Sequence, residues 1–309
     1  MRLIQWIAIL FSIALVLHPS RNIPQTIKWD INYQLKSIYQ PGEVVEFKSD
    51  YPLAVARLDG KTLTPIFGLR SYWGTAGFQR RDQFTIYGEF FDRKPNWLMS
   101  HLFHTTEYFF TLHGKIDRLP IDQASKLQLS RKTWSKMDDK FAQEKRAQSR
   151  KIRTAMKQSQ GNFTNYCFKK PLNSFIVSDF ASPRTLPNGK SYYHTGLDMR
   201  ARTPTPLPAA ARGRVLLAEK MIVPGNIVIL DHGGGIVSRY LHLSQIDVKP
   251  GDYLEQGDII GLTGGTGRVE APHLHFEIVW KGRGMDPLNF IEFSKARCSN
   301  NGTVRNLNP

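Results

Sequence analysis

Hydrophobic and polar positions alternate in short runs along most of this chain, the period of half-buried strands rather than of helices. Val44-Val45-Glu46-Phe47, Ala54-Val55-Ala56-Arg57-Leu58 and Thr62-Leu63-Thr64-Pro65-Ile66-Phe67 are such runs, and the Asp59-Gly60 turn between two of them is a hairpin signal. Gln83 to Phe90 and Tyr108 to His113 continue the pattern. Short strands at this spacing predict a small β-sandwich-like domain over about residues 38–117. From residue 165 the pattern returns, with strands expected at Arg214 to Leu217, Ile227 to Leu230, Ile236 to Leu241, Ile259 to Leu262 and His273 to Val279. Asp231-His232-Gly233-Gly234-Gly235 and Gly264-Gly265-Thr266-Gly267 punctuate them. No long amphipathic helix and no internal repeat shows here, which predicts an antiparallel β domain over 165–293 and a C-terminal tail at 294–309. The fold class expected is mainly β.

Two segments break the alternation. Arg2 precedes an apolar run from Leu3 to Leu17, interrupted only by Gln5 and Ser12. That fits a secretory signal and is short for a spanning helix, which needs about 20 residues. No small-x-small cleavage site follows, so residues 1–20 read as a signal peptide or a membrane anchor, with a buried N-terminal helix as the bland alternative. Either of the first two places the protein outside the cytoplasm, in the periplasm or cell envelope. Residues 121–160 are polar and proline-free, with eleven Lys and Arg against four Asp and Glu. This predicts a basic helical linker, one helix or two, with Leu127, Trp134, Met137, Phe141 and Met156 as sparse apolar anchors. Such a run is ordinarily a solvated face; contact with an anionic wall or membrane surface is the sharper alternative.

The chain has 309 residues, 41% of them hydrophobic, which suits two folded domains. A formal charge of +16 implies anionic partners. No nucleic-acid-binding signature accompanies it, so nucleic acid is not an expected partner. The two cysteines, Cys167 and Cys298, bracket the C-terminal domain. In an exported protein they are expected to form a disulfide, with two free thiols as the alternative. Neither belongs to a CxxC, so they make a poor metal site.

Five of nine histidines lie between 194 and 275. His194 and Asp198 stand four apart, His242 lies in an expected strand, and His273 and His275 lie two apart in another. Residues two apart on a strand share a face, so the last pair projects together while Leu274 and Phe276 pack behind. A catalytic zinc takes three protein N or O ligands and leaves one position open. His194, Asp198 and one of the pair would provide that set, leaving the other histidines for proton transfer. A lone His such as His242 is more often structural. His101 and His104, three apart, could hold a metal on a helix, but no third ligand is evident and a structural role is expected.

Together these residues resemble the lysostaphin-type, or LytM-domain, zinc metalloendopeptidases of bacterial cell walls. The resemblance runs from about Phe175 to Phe290, through HTGLD (194–198), PAAARGRV (208–215), GNIVILDHGGG (225–235), YLHLS (240–244), VKPGDYLEQGDIIGLTGGTGR (248–268), PHLHFEI (272–278) and DPLNF (286–290). It implies a compact antiparallel β domain with a groove crossing one Zn2+, bound by His194, Asp198 and His275, with His242 and His273 as the active-site pair. It also implies peptidoglycan as substrate: a metalloendopeptidase hydrolysing peptide cross-links. The short N-terminal signal and compact build, without Gram-positive sorting features, put D,D-bonds first and glycine bridges second. Family members often carry Gly-Thr-Pro after the ligand Asp; Pro204-Thr205-Pro206 stands here. Tyr192 or Tyr193 could donate to the oxyanion, or be a strand aromatic. A catalytically inactive adaptor or activator of other wall hydrolases is the second expectation, and a wall-binding structural module the third. The N-terminal domain or the basic linker is further expected to cover the groove and restrain activity.

Overall fold

In the computed structural model, an antiparallel sheet of eight strands forms the centre of the C-terminal region. The structure describes residues 36, 38–48, 53–66, 71–75, 83–90, 109–159 and 167–298. The central strands are β1 (Ile176–Ser178), β2 (Leu197–Arg200), β3 (Gly213–Met221), β4 (Gly225–Asp231), β5 (Ile236–Leu243), β6 (Tyr253–Leu254), β7 (His273–Trp280) and β8 (Arg283–Met285). Their spatial order is β1-β2-β7-β5-β4-β3-β6, with β8 beside β7. Two three-stranded sheets flank them: Pro206–Pro208, Ile259–Leu262 and Gln245–Ile246; and Ser191–Tyr193, Pro183–Thr185 and Ser125–Lys126. The expected strands are all present.

Period-two geometry assigns the two faces of this sheet different work. Asp198 opposes His275 and Leu197 opposes Phe276; Arg239 opposes Glu277, Tyr240 opposes Phe276 and Leu241 opposes His275. Leu197, Met199, Tyr240, Leu274, Phe276, Ile278 and Trp280 therefore share one face, and all are buried to 1% exposure or less. The other face carries His273, His275, Glu277 and Val279 beside Asp198, Arg239 and Leu241.

The basic linker is built into that second face. Its long helix α1 (Ala142–Met156) sets Ile152 and Ala155 among Leu216, Leu217, Met221, Ile227, Ile229, Val237, Leu241 and Val279, with Met156 packed alongside. Gln148 Oε1 accepts from the Ile222 amide at 2.9 Å, and Lys151 pairs with Glu219. The rest of the linker is irregular: a strand at Ser125–Lys126, one helical turn at Arg131–Trp134 and 3-10 turns.

A second helix, α2 (Pro287–Cys298), runs where the tail was expected to begin. Ser294 is fully buried in it and accepts from the Phe168 amide at 3.1 Å, so the tail assignment from 294 is corrected: helix continues through Cys298. Its inward face reads Phe290, Ile291 and Ser294, and a serine in the buried stripe hides the helical period. Cys167 and Cys298 form the expected disulfide, with Cα atoms 4.9 Å apart, tying α2 to the start of the domain.

Upstream lie two sheets. One has five strands in the order Ile38–Tyr39, Phe109–Ile116, Gln83–Phe90, Leu53–Leu58, Lys61–Thr62; the other orders Val44–Lys48, Ser71–Thr75, Thr64–Ile66. Ile38–Tyr39 runs parallel to its neighbour. This region sits on α2 and the far end of β7. The Val44 amide donates to Asn289 Oδ1 at 2.8 Å, and Arg283 Nη1 lies 3.0 Å from Asp59 Oδ2.

The apolar run 3–17, His101, His104, Gly161 and the chain after residue 298 lie outside the described residues. Among the described residues, no helix is long and apolar enough to cross a membrane.

Candidate metal centre

Strands β2 and β7 bring three potential ligands together. Asp198 and His275 are directly opposed in the ladder, and His194 stands just before β2. His275 Nδ1 is 2.8 Å from Asp198 Oδ1, His194 Nε2 is 3.1 Å from the same oxygen, and the two ring nitrogens are 3.0 Å apart. All three residues are buried. Their other polar atoms are occupied: His194 Nδ1 donates to the Asp179 carbonyl at 2.8 Å, Arg184 Nη2 holds Asp198 Oδ2 at 2.6 Å, and His275 Nε2 meets Glu277 Oε1 at 2.8 Å. Two imidazole nitrogens and a carboxylate oxygen thus converge on one point. This donor set fits a catalytic metal ion with an open coordination position.

His242 reaches the same face through an irregularity. Along β4 and β5, Asn226 pairs with Leu243 and Val228 with Tyr240, so Leu241 and His242 together face Ile227. This is a β-bulge. Strict alternation would put His242 on the face of Tyr240, in the core. With its φ at +69°, His242 instead turns toward the site; left-handed backbone at a residue other than glycine is costly and concentrates at functional positions. Its ring lies 5.2 Å from His273 and 5.9 Å from His275, centroid to centroid. His242 Nδ1 donates to the Thr266 carbonyl and His273 Nδ1 to the Ala271 carbonyl, each at 2.8 Å. Both rings keep Nε2 for the cleft.

The electrostatics follow from crowding these groups. Burial works to raise the Asp198 pKa, but hydrogen bonds from His194, His273 and His275 outweigh it and hold the carboxyl far below the ordinary range. Burial opposes a charged His275, yet Asp198 and Glu277 on either side push its pKa up to about 9. Burial, reinforced by His275 and His273, drives the His242 pKa well down. Its ring is therefore neutral at physiological pH.

A cleft of about 750 Å³ opens over these residues. Arg184, Tyr192, Arg239 and Arg268 line it, and so do linker residues, among them Leu127, Lys145, Gln148 and Ile152. None of the described residues before Ser125 lines it. The linker crosses the cleft margin by strand pairing of Ser125–Lys126 with Arg184–Thr185, by Gln128 to Glu270, and by Lys136 Nζ to the Gly267 carbonyl at 2.5 Å. Of the two tyrosines, Tyr192 faces the cleft and its hydroxyl accepts from Arg268 at 3.2 Å. Tyr193 turns away, donating to the Leu119 carbonyl at 3.0 Å.

All five residues singled out from sequence thus meet at one site. Sequence reasoning missed Arg184, Arg239 and Glu277. Glu277 was within reach of the period-two argument, two residues beyond His275. Arg239 and Arg184 carry no local signal, because their roles depend on cross-strand register and on the approach of a separate sheet.

Residues 192–287 match the family profile described as Peptidase family M23. Among curated proteins, the chain is 40% identical over 118 residues to the peptidoglycan DD-endopeptidase ShyA of Vibrio cholerae, a match covering 38% of this chain and 27% of that protein. To the peptidoglycan DD-endopeptidase ShyB of the same organism it is 34% identical over 130 residues, covering 41% of this chain and 30% of that one. The chain thus spans less than a third of the length of these relatives. A solved structure from Pseudomonas aeruginosa, assigned to peptidase M23, superposes with a TM-score of 0.55 at 22% identity over 83% of this chain and 95% of that chain. At that identity the likeness is one of fold, and it extends well beyond the metal-centre domain.

Proposed function

Because residues 192–287 match Peptidase family M23, we propose that the protein is a zinc metalloendopeptidase that hydrolyses peptide cross-links of bacterial peptidoglycan. The observation that carries the reading is the convergence of His194 Nε2, Asp198 Oδ1 and His275 Nδ1 in a buried site at the floor of a cleft. Two relatives named as DD-endopeptidases make the D,D-cross-link the first substrate to try.

One Zn2+ per chain would be held by these three residues and would supply Lewis acidity toward water and toward the scissile carbonyl. The chain's own residues manage the protons. His242 is neutral and has its Nδ1 proton committed to the Thr266 carbonyl. Its Nε2 is thus the acceptor for a proton from the attacking water. His273 has its Nδ1 committed to Ala271, and its Nε2 lies 3.4 Å from Asp198 Oδ1, at the edge of the donor cluster. The proton that His242 takes can pass on to the departing amine, and His273, when it carries a proton on Nε2 as well, can hydrogen-bond the developing oxyanion. Arg184 holds the distal oxygen of Asp198 and so aims Oδ1 inward. The protein would act in the cell envelope, brought there by residues 1–20 as signal or anchor.

An inactive adaptor needs no complete donor set with its outer hydrogen bonds in place, and the intact centre argues against that reading. The test is zinc content measured together with release of new amino termini from purified peptidoglycan, for wild type and His275→Ala. About one zinc per chain with amine release, both lost in the variant, is the expected result. Wild-type protein that binds the wall, carries no zinc and releases nothing would sink the proposal in favour of an adaptor.

A further inference from the structure

We propose that Glu277, supported by Arg239 and Thr195, is a positioning residue that fixes His275 as an Nδ1 ligand of the metal; this rests on the metal reading above. Four imidazoles crowd the site, and three are oriented alike. His194, His242 and His273 each give Nδ1–H to a backbone carbonyl, of Asp179, Thr266 and Ala271, at 2.8 Å, and turn Nε2 inward. His275 is reversed. Its Nδ1 faces Asp198 Oδ1 and His194 Nε2, and its Nε2 meets a side-chain carboxylate, Glu277 Oε1, at 2.8 Å.

A neutral imidazole offers one lone pair and one N–H. For Nδ1 to ligate, the proton must reside on Nε2, and something must accept it there. Glu277 stands two residues along the same strand face and does so. A carboxylate buried to 2% exposure is costly unless it is paired. Arg239, directly opposite on β5, places Nη1 2.6 Å from Oε2. Thr195 Oγ1 donates to Oε1 at 2.6 Å. Gly196 leaves the room required: a Cβ there would lie 2.7 Å from both His275 Nε2 and Glu277 Cγ. Two donors on Oε1, His275 Nε2 and Thr195 Oγ1, and the Arg239 guanidinium against Oε2 thus keep Glu277 an anionic acceptor pointed at one ring nitrogen. An anionic partner also makes that imidazole a more basic ligand than the carbonyl-bound His194.

The test strips metal from the full-length protein and titrates zinc back against a chromophoric chelator, for wild type, Glu277→Gln and Glu277→Ala. Glu277→Ala is expected to bind zinc about 10–100-fold more weakly. Glu277→Gln, which keeps a neutral acceptor, should retain more affinity than Glu277→Ala. Alanine and wild-type proteins of equal affinity would overturn the proposal alone. A wild type that takes up no zinc would instead overturn the metal reading, and this proposal with it. A second measurement needs no variant and so is immune to misfolding: 15N NMR of histidine-labelled, zinc-loaded wild type. The expected spectrum has His275 protonated at Nε2 and metal-bound at Nδ1; the reverse tautomer refutes the assignment.

Discussion

Trp73 packs against Trp280 with ring centroids 5.9 Å apart, at the end of β7 remote from His273 and on the sheet face opposite the metal centre. Phe290 and Phe293 of α2 complete the cluster, with centroids 5.8 and 5.4 Å from Trp73. The N-terminal sheets therefore brace the sheet of the candidate metal centre from behind. Trp73 is fully buried, so Trp73→Ala should cost about 3–5 kcal/mol, read by urea unfolding. Zinc affinity of the folded variant should match wild type, because no ligand shares that face.

Of the two segments expected to restrain activity, the N-terminal domain and the linker, only the linker lines the cleft among the described residues, so it is the one to test. Cutting the chain near Gly161 would strip α1 from Leu216, Leu217 and Ile229 and expose their core. A cleaner test loosens only the ties at the cleft margin. Lys136→Ala with Glu270→Ala removes two of them while α1 stays seated. The double variant should cleave a soluble cross-linked muropeptide several-fold faster than wild type. An unchanged or slower rate would make the segment a wall for substrate rather than a restraint.

Much of this arrangement is legible in the sequence. The spacing of His273 and His275 announced a shared face, and the alternating runs marked the strands that deliver them. The bulge that rotates His242 was not legible, since Tyr240-Leu241-His242 reads as uninterrupted alternation and only the register against Asn226 and Val228 reveals the extra residue. The linker was read by its charge, and the anchors expected there did not include Ile152, one apolar residue among cations that proved to be buried. Local pattern reports which residues are apolar; it does not report which surface receives them. Arg239 and Glu277 belong to the same class, because their pairing exists only once β5 and β7 are in register.

Acid should weaken the fold through His232, a histidine outside the metal centre. Its Nδ1 donates to the Arg212 carbonyl at 2.7 Å and its Nε2 lies 2.8 Å from Ser238 Oγ. Burial lowers its pKa from 6.5 to about 4. The unfolded chain then binds a proton that the folded one refuses between those values. Its stabilising contribution is whole above pH 6.5 and declines as pH falls toward 4, by up to about 3 kcal/mol. His232→Gln should be less stable than wild type at pH 7.5, and the gap should narrow steadily toward pH 4.5. A gap independent of pH, in urea titrations across that range, would contradict the assignment.

The outer side of α1 is cationic. Arg146, Arg150, Arg153 and Lys157 recur at helical spacing, all exposed, and none forms a salt bridge among the described residues. A row of cations facing water attracts polyanions. The apolar side of the same helix is already spent on Ile152 and Ala155, so α1 has no face left to insert into a bilayer. The anionic surface to test first is the carboxylate-bearing polymer on which the proposed activity would act. Replacing the three arginines with Gln should reduce cosedimentation with purified peptidoglycan several-fold at low salt. It should also flatten the salt dependence, since charges separated by more than about 10 Å are screened at 0.1 M. Turnover of a small soluble muropeptide should stay at the wild-type rate, because these side chains point away from the cleft. A variant that binds the polymer with unaltered salt dependence would reduce the row to an ordinary solvated face.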